Sequence, residues 1–234
     1  MRIFILASGP SLDGFNLRKL DNETTLGINY ICRYYKPTVL LFGDLEVYTS
    51  HKDIIDAMDC IKVTKDTNPG LPGVYRVPIS QTFNGEEGLS KGLYTDFLTG
   101  FMAISLAIAL GFDEIYLLGY DGKFKDGQGH FYSKDFRHRG DGKENIFISS
   151  INMYKPFADW YGIYNCSPIS AIPYFPKIDI DKVLKVKYPV DKPVIMADIK
   201  AKLSSPVKGK TETKPYWKIP ATILQQVPET EKAK

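Results

Sequence analysis

A short apolar run that ends in a tight turn decides the fold of this chain: Arg2-Ile3-Phe4-Ile5-Leu6-Ala7-Ser8-Gly9-Pro10-Ser11-Leu12. Five successive apolar residues without polar alternation predict a strand that is buried on both faces, as in a parallel sheet. Glycine and proline then end the strand, and a helix is expected to begin near Ser11 or Asp13. A strand, a turn and a helix in this order form the first unit of an α/β fold.

The same alternation of strand and helix continues along the chain. The predicted strands are Thr24–Asn29, Thr38–Gly43, Cys60–Thr64, Glu114–Gly119 and Ile163–Cys166, and the predicted helices are His51–Met58, Thr95–Gly111, Ile148–Tyr161 and Ile180–Leu184. Because helices separate many of the strands, we expect a doubly wound, mostly parallel, Rossmann-like sheet with helices on both faces. The Gly- and Pro-rich segment Asn68–Gly92 is predicted to be a long loop with one short strand, Val74–Val77.

Composition and charge divide the chain into two parts. The 234 residues are 44% hydrophobic, which is ordinary for a globular domain. From Lys177 onward there are 13 Lys against 7 Asp and Glu, and the periodic pattern fades after Lys187. We therefore predict a Rossmann-like domain over residues 1–186 and an irregular, basic, Lys/Pro-rich extension over residues 187–234. Such a tail is either a solvated spacer or a contact for nucleic acid or an anionic surface.

The sequence disfavours several classes of protein. No window contains the roughly 18–20 apolar residues of a membrane-spanning helix, so we expect no membrane span. The three cysteines are far apart and show neither a metal-ligand nor a disulfide spacing, which favours a reducing cytoplasm. The sequence has no Gly-x-Ser-x-Gly or His-Glu-x-x-His motif, so hydrolase and zinc-protease functions have no support.

Ligands of parallel α/β sheets bind outside the carboxyl ends of the strands. Four loops meet there in this fold, Ser8–Leu12, Asn29–Tyr30, Gly43–Glu46 and Gly119–His138. In the first loop, glycine permits close approach of a ligand, a following helix would offer amide groups to a phosphate, and two serines add hydroxyls. The alternative is that this Gly-Pro-Ser segment is only a tight turn, since it matches neither a Walker loop nor Gly-x-Gly-x-x-Gly.

Polar residues at the other strand ends have two interpretations each. Asn29 would bind a ribose or a base, or would cap a helix. Asp44 would bind a sugar hydroxyl or, with Glu46, Mg²⁺, or would only open a turn. His130 and His138 are candidates for a general base, with Asp121 as an orienting group, or are solvated loop residues. In the final strand-end segment, Ser167 would face the crevice and Cys166 is interpreted as a small buried residue.

Several segments together resemble glycosyltransferase family 42, the bacterial sialyltransferases that use CMP-sialic acid. Residues 7–12 resemble the family's Gly-x-Gly-Pro-Ser-Leu opening. Residues 99–121 are similar to its Thr-Ser-Gly helix, Ala-Leu-Gly turn and Ile-Tyr-Leu-x-Gly-x-Asp strand. The wider superfamily includes archaeal 6-hydroxymethylpterin diphosphokinase-like proteins and phage proteins, and residues 129–132 and 164–172 look most like the phage group.

The resemblance implies a nucleotide in the crevice, with Gly9, Ser11 and Asn29 at donor-binding positions and Thr99 and Gly100 near the nucleotide. Together with the strand-end loops, the expected donor-binding residues are Ser8, Gly9, Pro10, Ser11, Asn29, Asp44, Thr99, Gly100, Gly119, Tyr120 and Ser167. It also implies a histidine base, matched by His130 with His138 as the alternative. For stabilising the departing phosphate, our candidates are the hydroxyl groups of Tyr132 and Tyr120. Asp44 departs from the asparagine of the sialyltransferases and leaves room for Mg²⁺.

We therefore expect a transferase that moves a sugar from a CMP-type nucleotide donor to a hydroxyl acceptor on a glycan or a modified DNA base. No metal cofactor is required in this scheme. The alternatives are a Mg²⁺-dependent, diphosphokinase-like transferase that uses ATP, with Asp44 and Glu46 as ligands, and a non-catalytic nucleotide-binding phage protein. The implied location is the cytoplasm of a bacterium or a phage-infected cell, and self-association into a homo-oligomer is left open.

Overall fold

A computed structural model describes residues 1–95, 98–133, 135 and 148–204. Its strands are β1 (Arg2–Leu6), β2 (Thr25–Ile28), β3 (Val39–Phe42), β4 (Ile61–Lys65), β5 (Val74–Val77), β6 (Ile79–Ser80), β7 (Leu93–Tyr94), β8 (Glu114–Leu118) and β9 (Ile163–Asn165). Its α-helices are α1 (Leu45–Ser50), α2 (Lys52–Ala57), α3 (Gly88–Lys91), α4 (Thr99–Ala109), α5 (Ile180–Lys185) and α6 (Lys192–Ser204).

The main sheet has seven parallel strands in the order β5-β4-β3-β2-β1-β8-β9. The prediction of a doubly wound, Rossmann-like sheet is confirmed. From β1 the chain moves outward to β5 on one side and then returns to place β8 on the other side. The order of the strands therefore reverses between β1 and β8, which pair from Arg2 with Glu114 to Leu6 with Leu118. Such a reversal is the point where open α/β sheets bind their ligands.

Helical segments cover both faces of the sheet. On one face, α4 packs against β1, β2 and β3, and its residues from Gly100 to Ile108 are all buried. On the opposite face, Leu12 and Leu20 from two short 3-10 turns pack with residues of β1, β8 and β9. The short strands β6 and β7 form a separate parallel pair within and after the segment expected to be a loop.

The prediction of an α-helix that begins near Ser11 or Asp13 is wrong. The chain instead forms two 3-10 turns, Pro10–Leu12 and Leu17–Leu20, with a left-handed glycine, Gly14 at φ +76°, between them. A residue in the left-handed region interrupts a right-handed helix, so the turn after Ser11 cannot extend. The helix that was expected to bind a phosphate is therefore absent from the described structure after β1.

Two other helix predictions change in extent. The segment predicted to be a helix, Ile148–Tyr161, has a 3-10 helix over Ile151–Phe157. This 3-10 helix contains Pro156, which lacks the amide hydrogen that an α-helix needs. The predicted helix Thr95–Gly111 is observed as Thr99–Ala109, and Gly111 ends it with φ +82°.

The C-terminal part contains more regular structure than its composition indicated. Helix α6 lies beyond residue 186 and buries Ile199 and Leu203 against the core, while the Lys202 ammonium donates to the carbonyl of Leu110 at 2.7 Å. Residues 205–234 of the predicted extension lie outside the described residues. In the part of the chain that is described, no helix has the length and apolar character needed to cross a membrane.

Candidate functional site

Most of the predicted site residues lie at the carboxyl edge of the sheet, where they form two groups together with residues that were not predicted. The β1–β8 cluster comprises Ser8, Gly9, Ser11, Gly119, Tyr120, Asp121, His130, Asn165, Ser167 and Ser170. The β2–β3 cluster comprises Asn29, Gly43, Thr64, Asn68 and Thr99. The first cluster is at the point where the strand order reverses, and the second follows the neighbouring strands.

The Gly-Pro-Ser turn binds a carboxyl group that belongs to the protein itself. The Ser11 amide donates to Asp121 Oδ2 at 2.7 Å, and the Ser11 hydroxyl donates to Asp121 Oδ1 at 2.6 Å. The Gly9 amide donates to the carbonyl of Gly119 at 2.9 Å. Donors that the sequence suggested for a phosphate are thus engaged by the loop after β8.

Asp121 is a buried carboxyl whose ionisation is opposed by its environment. Only 2% of the residue is exposed. Burial raises the pKa of Asp121 above its ordinary value, while hydrogen bonds from Ser11 and Ser167 and the charge of Lys123 act in the opposite direction. The carboxyl therefore joins the two loops and does not face solvent.

Two glycines allow the turn after β1 and the turn after β8 to touch. A Cβ on Gly9 would collide with the carbonyl oxygen of Gly119 and lie 2.7 Å from Asp121 Oδ2. Gly119 itself has φ +71°, and a Cβ there would lie 2.9 Å from the carbonyl oxygen of Ala7. Both positions require glycine for close backbone approach, which supports the tight-turn interpretation of this segment.

Ser8 and His130 form the pair with the clearest chemical potential. The Ser8 hydroxyl and His130 Nδ1 are 2.9 Å apart, and the Phe131 amide donates to the Ser8 carbonyl at 3.0 Å. The His130 ring stacks on Tyr132 at 5.0 Å between ring centroids. His130 is 7% exposed, whereas Ser8 is half-buried, so the serine is the member of the pair that is more accessible to a ligand.

The two tyrosines predicted to stabilise a departing phosphate are buried. Tyr120 donates its hydroxyl to the carbonyl of Gly100 at 3.0 Å, and burial raises the pKa of this phenol well above its ordinary value. Tyr132 packs against the rings of Tyr30 and Tyr34 as well as His130. In this structure Tyr120 fastens α4 to the loop after β8, and Tyr132 supports the histidine ring.

Asn165 organises the loop after β9, a role that the sequence analysis did not assign. Its Nδ2 donates to the Tyr120 carbonyl at 3.1 Å and to Ser170 Oγ at 2.9 Å. Its Oδ1 accepts from the Ser167 amide at 2.9 Å, and Ser167 Oγ accepts from the Tyr120 amide at 3.0 Å. A polar residue ending a buried apolar strand was the available signal for Asn165.

The β2–β3 cluster is a network of neutral amides and hydroxyls. Asn29 has φ +50°, donates from Nδ2 to Thr99 Oγ1 at 3.2 Å and accepts the Gly43 amide on Oδ1 at 3.3 Å. Asn68, which the sequence analysis missed, donates to the Gly43 carbonyl at 3.1 Å and to Thr64 Oγ1 at 2.7 Å. These bonds join β2, β3 and β4 to the start of α4.

The acidic residues suggested for Mg²⁺ lie at the start of α1 and face solvent. Asp44 and Glu46 are both exposed, and Lys65 Nζ lies 3.8 Å from Asp44 Oδ1. Over residues 1–95, 98–133, 135 and 148–204, no group of three or more His, Cys, Asp or Glu residues has an arrangement that could hold a metal ion.

A cavity of about 410 Å³ opens beside the β1–β8 cluster, at the carboxyl ends of β8 and β9. The turn after β1 lines it through Ser11, Leu12 and Phe15, and residues 177–180 also line it. The volume is within the roughly 300–1,000 Å³ range of small-molecule sites. Its residues come from distant parts of the chain, so the sequence carried no local signal for it.

His138, the second candidate for the base, lies outside the described residues. Comparisons with protein-family models, with curated proteins and with solved structures find no match for this chain.

Proposed function

We propose that this chain is a glycosyltransferase-like enzyme that moves a sugar from a nucleotide-activated donor, of the CMP-sugar type, to a hydroxyl acceptor. The observation that carries the proposal is the contact between the Ser8 hydroxyl and His130 Nδ1 at 2.9 Å. It lies at the carboxyl end of β1, beside the reversal of strand order where α/β sheets bind ligands. A hydroxyl paired with an imidazole is an arrangement suited to proton transfer.

In the proposed reaction, the acceptor hydroxyl oxygen forms a bond to the anomeric carbon of the donor sugar. The bond between that carbon and the phosphate oxygen breaks, and the nucleotide leaves with the electron pair. Because His130 is 7% exposed and its Nδ1 faces Ser8, the acceptor proton passes to Ser8 Oγ while the Ser8 proton passes to neutral His130.

The resemblance to glycosyltransferase family 42 supports the donor class, and the acceptor is a hydroxyl on a glycan or on a modified DNA base. The diphosphokinase alternative needs Mg²⁺ at Asp44 and Glu46, but the charged group that accompanies Asp44 in this structure is Lys65. An ammonium near Asp44 disfavours a cation there. The third possibility, a nucleotide-binding protein without turnover, shares the fold and differs in its kinetics.

A thermal-shift panel tests the proposal. Wild-type protein is mixed with CMP, CMP-sugars, UDP-sugars and ATP, each with and without Mg²⁺. A ligand at 100 times its Kd stabilises the folded state by about 2.7 kcal/mol, which gives a measurable increase in Tm. We expect stabilisation by a nucleotide or nucleotide sugar without metal. Stabilisation by ATP alone, only with Mg²⁺ and lost in Asp44→Ala, would instead identify the diphosphokinase, and no stabilisation by any nucleotide would overturn both.

A further inference from the structure

The walls of the 410 Å³ cavity are mainly apolar. Leu12, Phe15, Leu118, Cys166, Ile178 and Ile180 line it. Phe15 contributes an aromatic residue from the turn after β1, and Ile178 and Ile180 contribute branched aliphatic residues from the segment 177–180. A space of this size between an aromatic ring and aliphatic groups favours a flat ring with apolar faces.

The polar groups at the inner end of the cavity are already hydrogen-bonded. Asn165 has both of its amide atoms engaged by Tyr120, Ser167 and Ser170. The amide and hydroxyl of Ser11 are engaged by Asp121. A ligand with hydroxyl groups on every side, such as a free sugar, would leave several of its own hydroxyls without hydrogen-bond partners. Each such hydroxyl would cost about 1–3 kcal/mol of binding free energy.

Charged groups lie at the side formed by residues 177–180. Lys177 and Asp179 both line the cavity and are both exposed. Within the described parts of the chain, the Lys177 ammonium forms no ion pair with a carboxylate. A cation and a carboxylate beside an apolar cavity fit a phosphate and a ribose hydroxyl, respectively.

The Gly-Pro-Ser turn is a poor alternative position for the phosphate. Its Ser11 amide and hydroxyl hold the Asp121 carboxyl at 2.7 and 2.6 Å. A phosphate at the same donors would displace this carboxyl and leave it buried without its hydrogen bonds to Ser11, which is unfavourable. Among the residues that line the cavity, Lys177 supplies the positive charge.

We infer that the cavity beside β8 and β9, and not the Gly-Pro-Ser turn, holds the nucleotide part of the donor. The base lies between Phe15 and Ile178, and the phosphate lies at Lys177. This inference rests on the proposed function, because it assigns the position of the donor in the same enzyme. It also gives the residues of the turn a structural role, as the wall that separates the nucleotide from Asp121.

Isothermal titration of nucleoside 5′-monophosphates and the matching nucleosides tests the inference. The ligands are CMP, UMP, AMP, GMP and the four nucleosides. Each is titrated into wild type, Lys177→Glu, Ile178→Trp and the control Lys182→Glu. The control changes an exposed lysine on α5 that lies outside the cavity. Lys177→Glu should lower the affinity for the monophosphate that binds wild type by about tenfold or more, since a charged hydrogen bond is lost. The affinity for the corresponding nucleoside should change by less than about twofold. In Lys182→Glu, the affinities for the monophosphate and for the nucleoside should both change by less than about twofold.

Ile178→Trp fills the cavity, so it should lower the affinities for the nucleoside and for the monophosphate by at least about tenfold. Circular dichroism establishes that each variant is folded, and Lys177→Glu keeps the test valid if the tryptophan variant unfolds. Equal monophosphate affinity in Lys177→Glu and Lys182→Glu, or unchanged affinity in folded Ile178→Trp, would overturn the inference and leave the proposed function standing. If none of the monophosphates binds wild type, while the thermal-shift panel also shows no nucleotide effect, the proposed function itself fails.

Discussion

The β1–β8 and β2–β3 clusters lie at the same edge of one sheet but differ in charge. Both use asparagine side chains to join loops, Asn165 in the first and Asn29 in the second. The first also encloses the carboxyl of Asp121, contains the Ser8–His130 contact and adjoins a cavity. The second consists of neutral amides and hydroxyls. The β1–β8 cluster therefore combines loop packing with groups that can move a proton.

The difference shows that a polar residue at the end of a strand is not by itself evidence of ligand binding. Asn29, Ser11 and Tyr120 were all expected to bind a donor, and the structure gives each of them a partner within the protein. A buried amide or hydroxyl without a partner would destabilise the fold, so strand ends are often completed in this way. The half-buried Ser8 hydroxyl, next to a histidine, remains the strongest candidate for chemistry.

Glycine replacements at matched positions provide the largest expected contrast between the clusters. In Gly9→Ala the new methyl group collides with the Gly119 backbone, which cannot move without separating β1 from β8, so we expect a loss of about 3 kcal/mol in the free energy of unfolding. In Gly43→Ala the methyl group meets the Thr99 hydroxyl at 2.6 Å. That side chain can rotate at the expense of its bond with Asn29, which costs about 1 kcal/mol.

Urea unfolding of both variants measures this contrast. The two alanine variants serve as each other's control, because each adds one methyl group just after a strand of the same sheet. Equal losses of stability would show that the turn after β1 is not held more rigidly than the loop after β3, and the structural role given to Gly9 would be incorrect.

The sequence was sufficient for the sheet and insufficient for the contacts at its edge. Apolar runs such as Ile115–Leu118 and Val39–Phe42 identify buried strands directly, and the helices between strands imply parallel pairing. The bond between Ser11 and Asp121 joins residues 110 positions apart and depends on β8 lying next to β1, which no local pattern specifies. The helix predicted after Ser11 failed because the left-handed conformation of Gly14 interrupts it.

The pH dependence of stability gives a smaller contrast between the clusters. Because the pKa of Asp121 is raised by burial, the folded state binds a proton more tightly than the unfolded state. Stability from this group is present at low pH and is lost as the pH rises through the folded-state pKa. The stability of Asp121→Asn relative to wild type should therefore be more favourable at pH 7 than at pH 4.

Chemical denaturation of wild type, Asp121→Asn and Asn29→Ala at the two pH values tests this expectation. Asn29→Ala removes no titratable group, so its difference from wild type should be the same at both. A relative stability of Asp121→Asn that does not change between pH 4 and pH 7, or that becomes less favourable as the pH rises, would contradict the raised pKa and the burial that causes it.

The most direct measurement is donor turnover by wild type, Ser8→Ala, His130→Gln and the double variant, with the nucleotide sugar that stabilises the protein. Folding is checked for each by circular dichroism, and binding is checked by the thermal shift. If Ser8 and His130 form one proton-transfer unit, each single variant should lose about 10²–10⁴ in kcat, and the double variant should lose little more than either. Wild-type turnover in folded, donor-binding His130→Gln would contradict the proposed role of this pair.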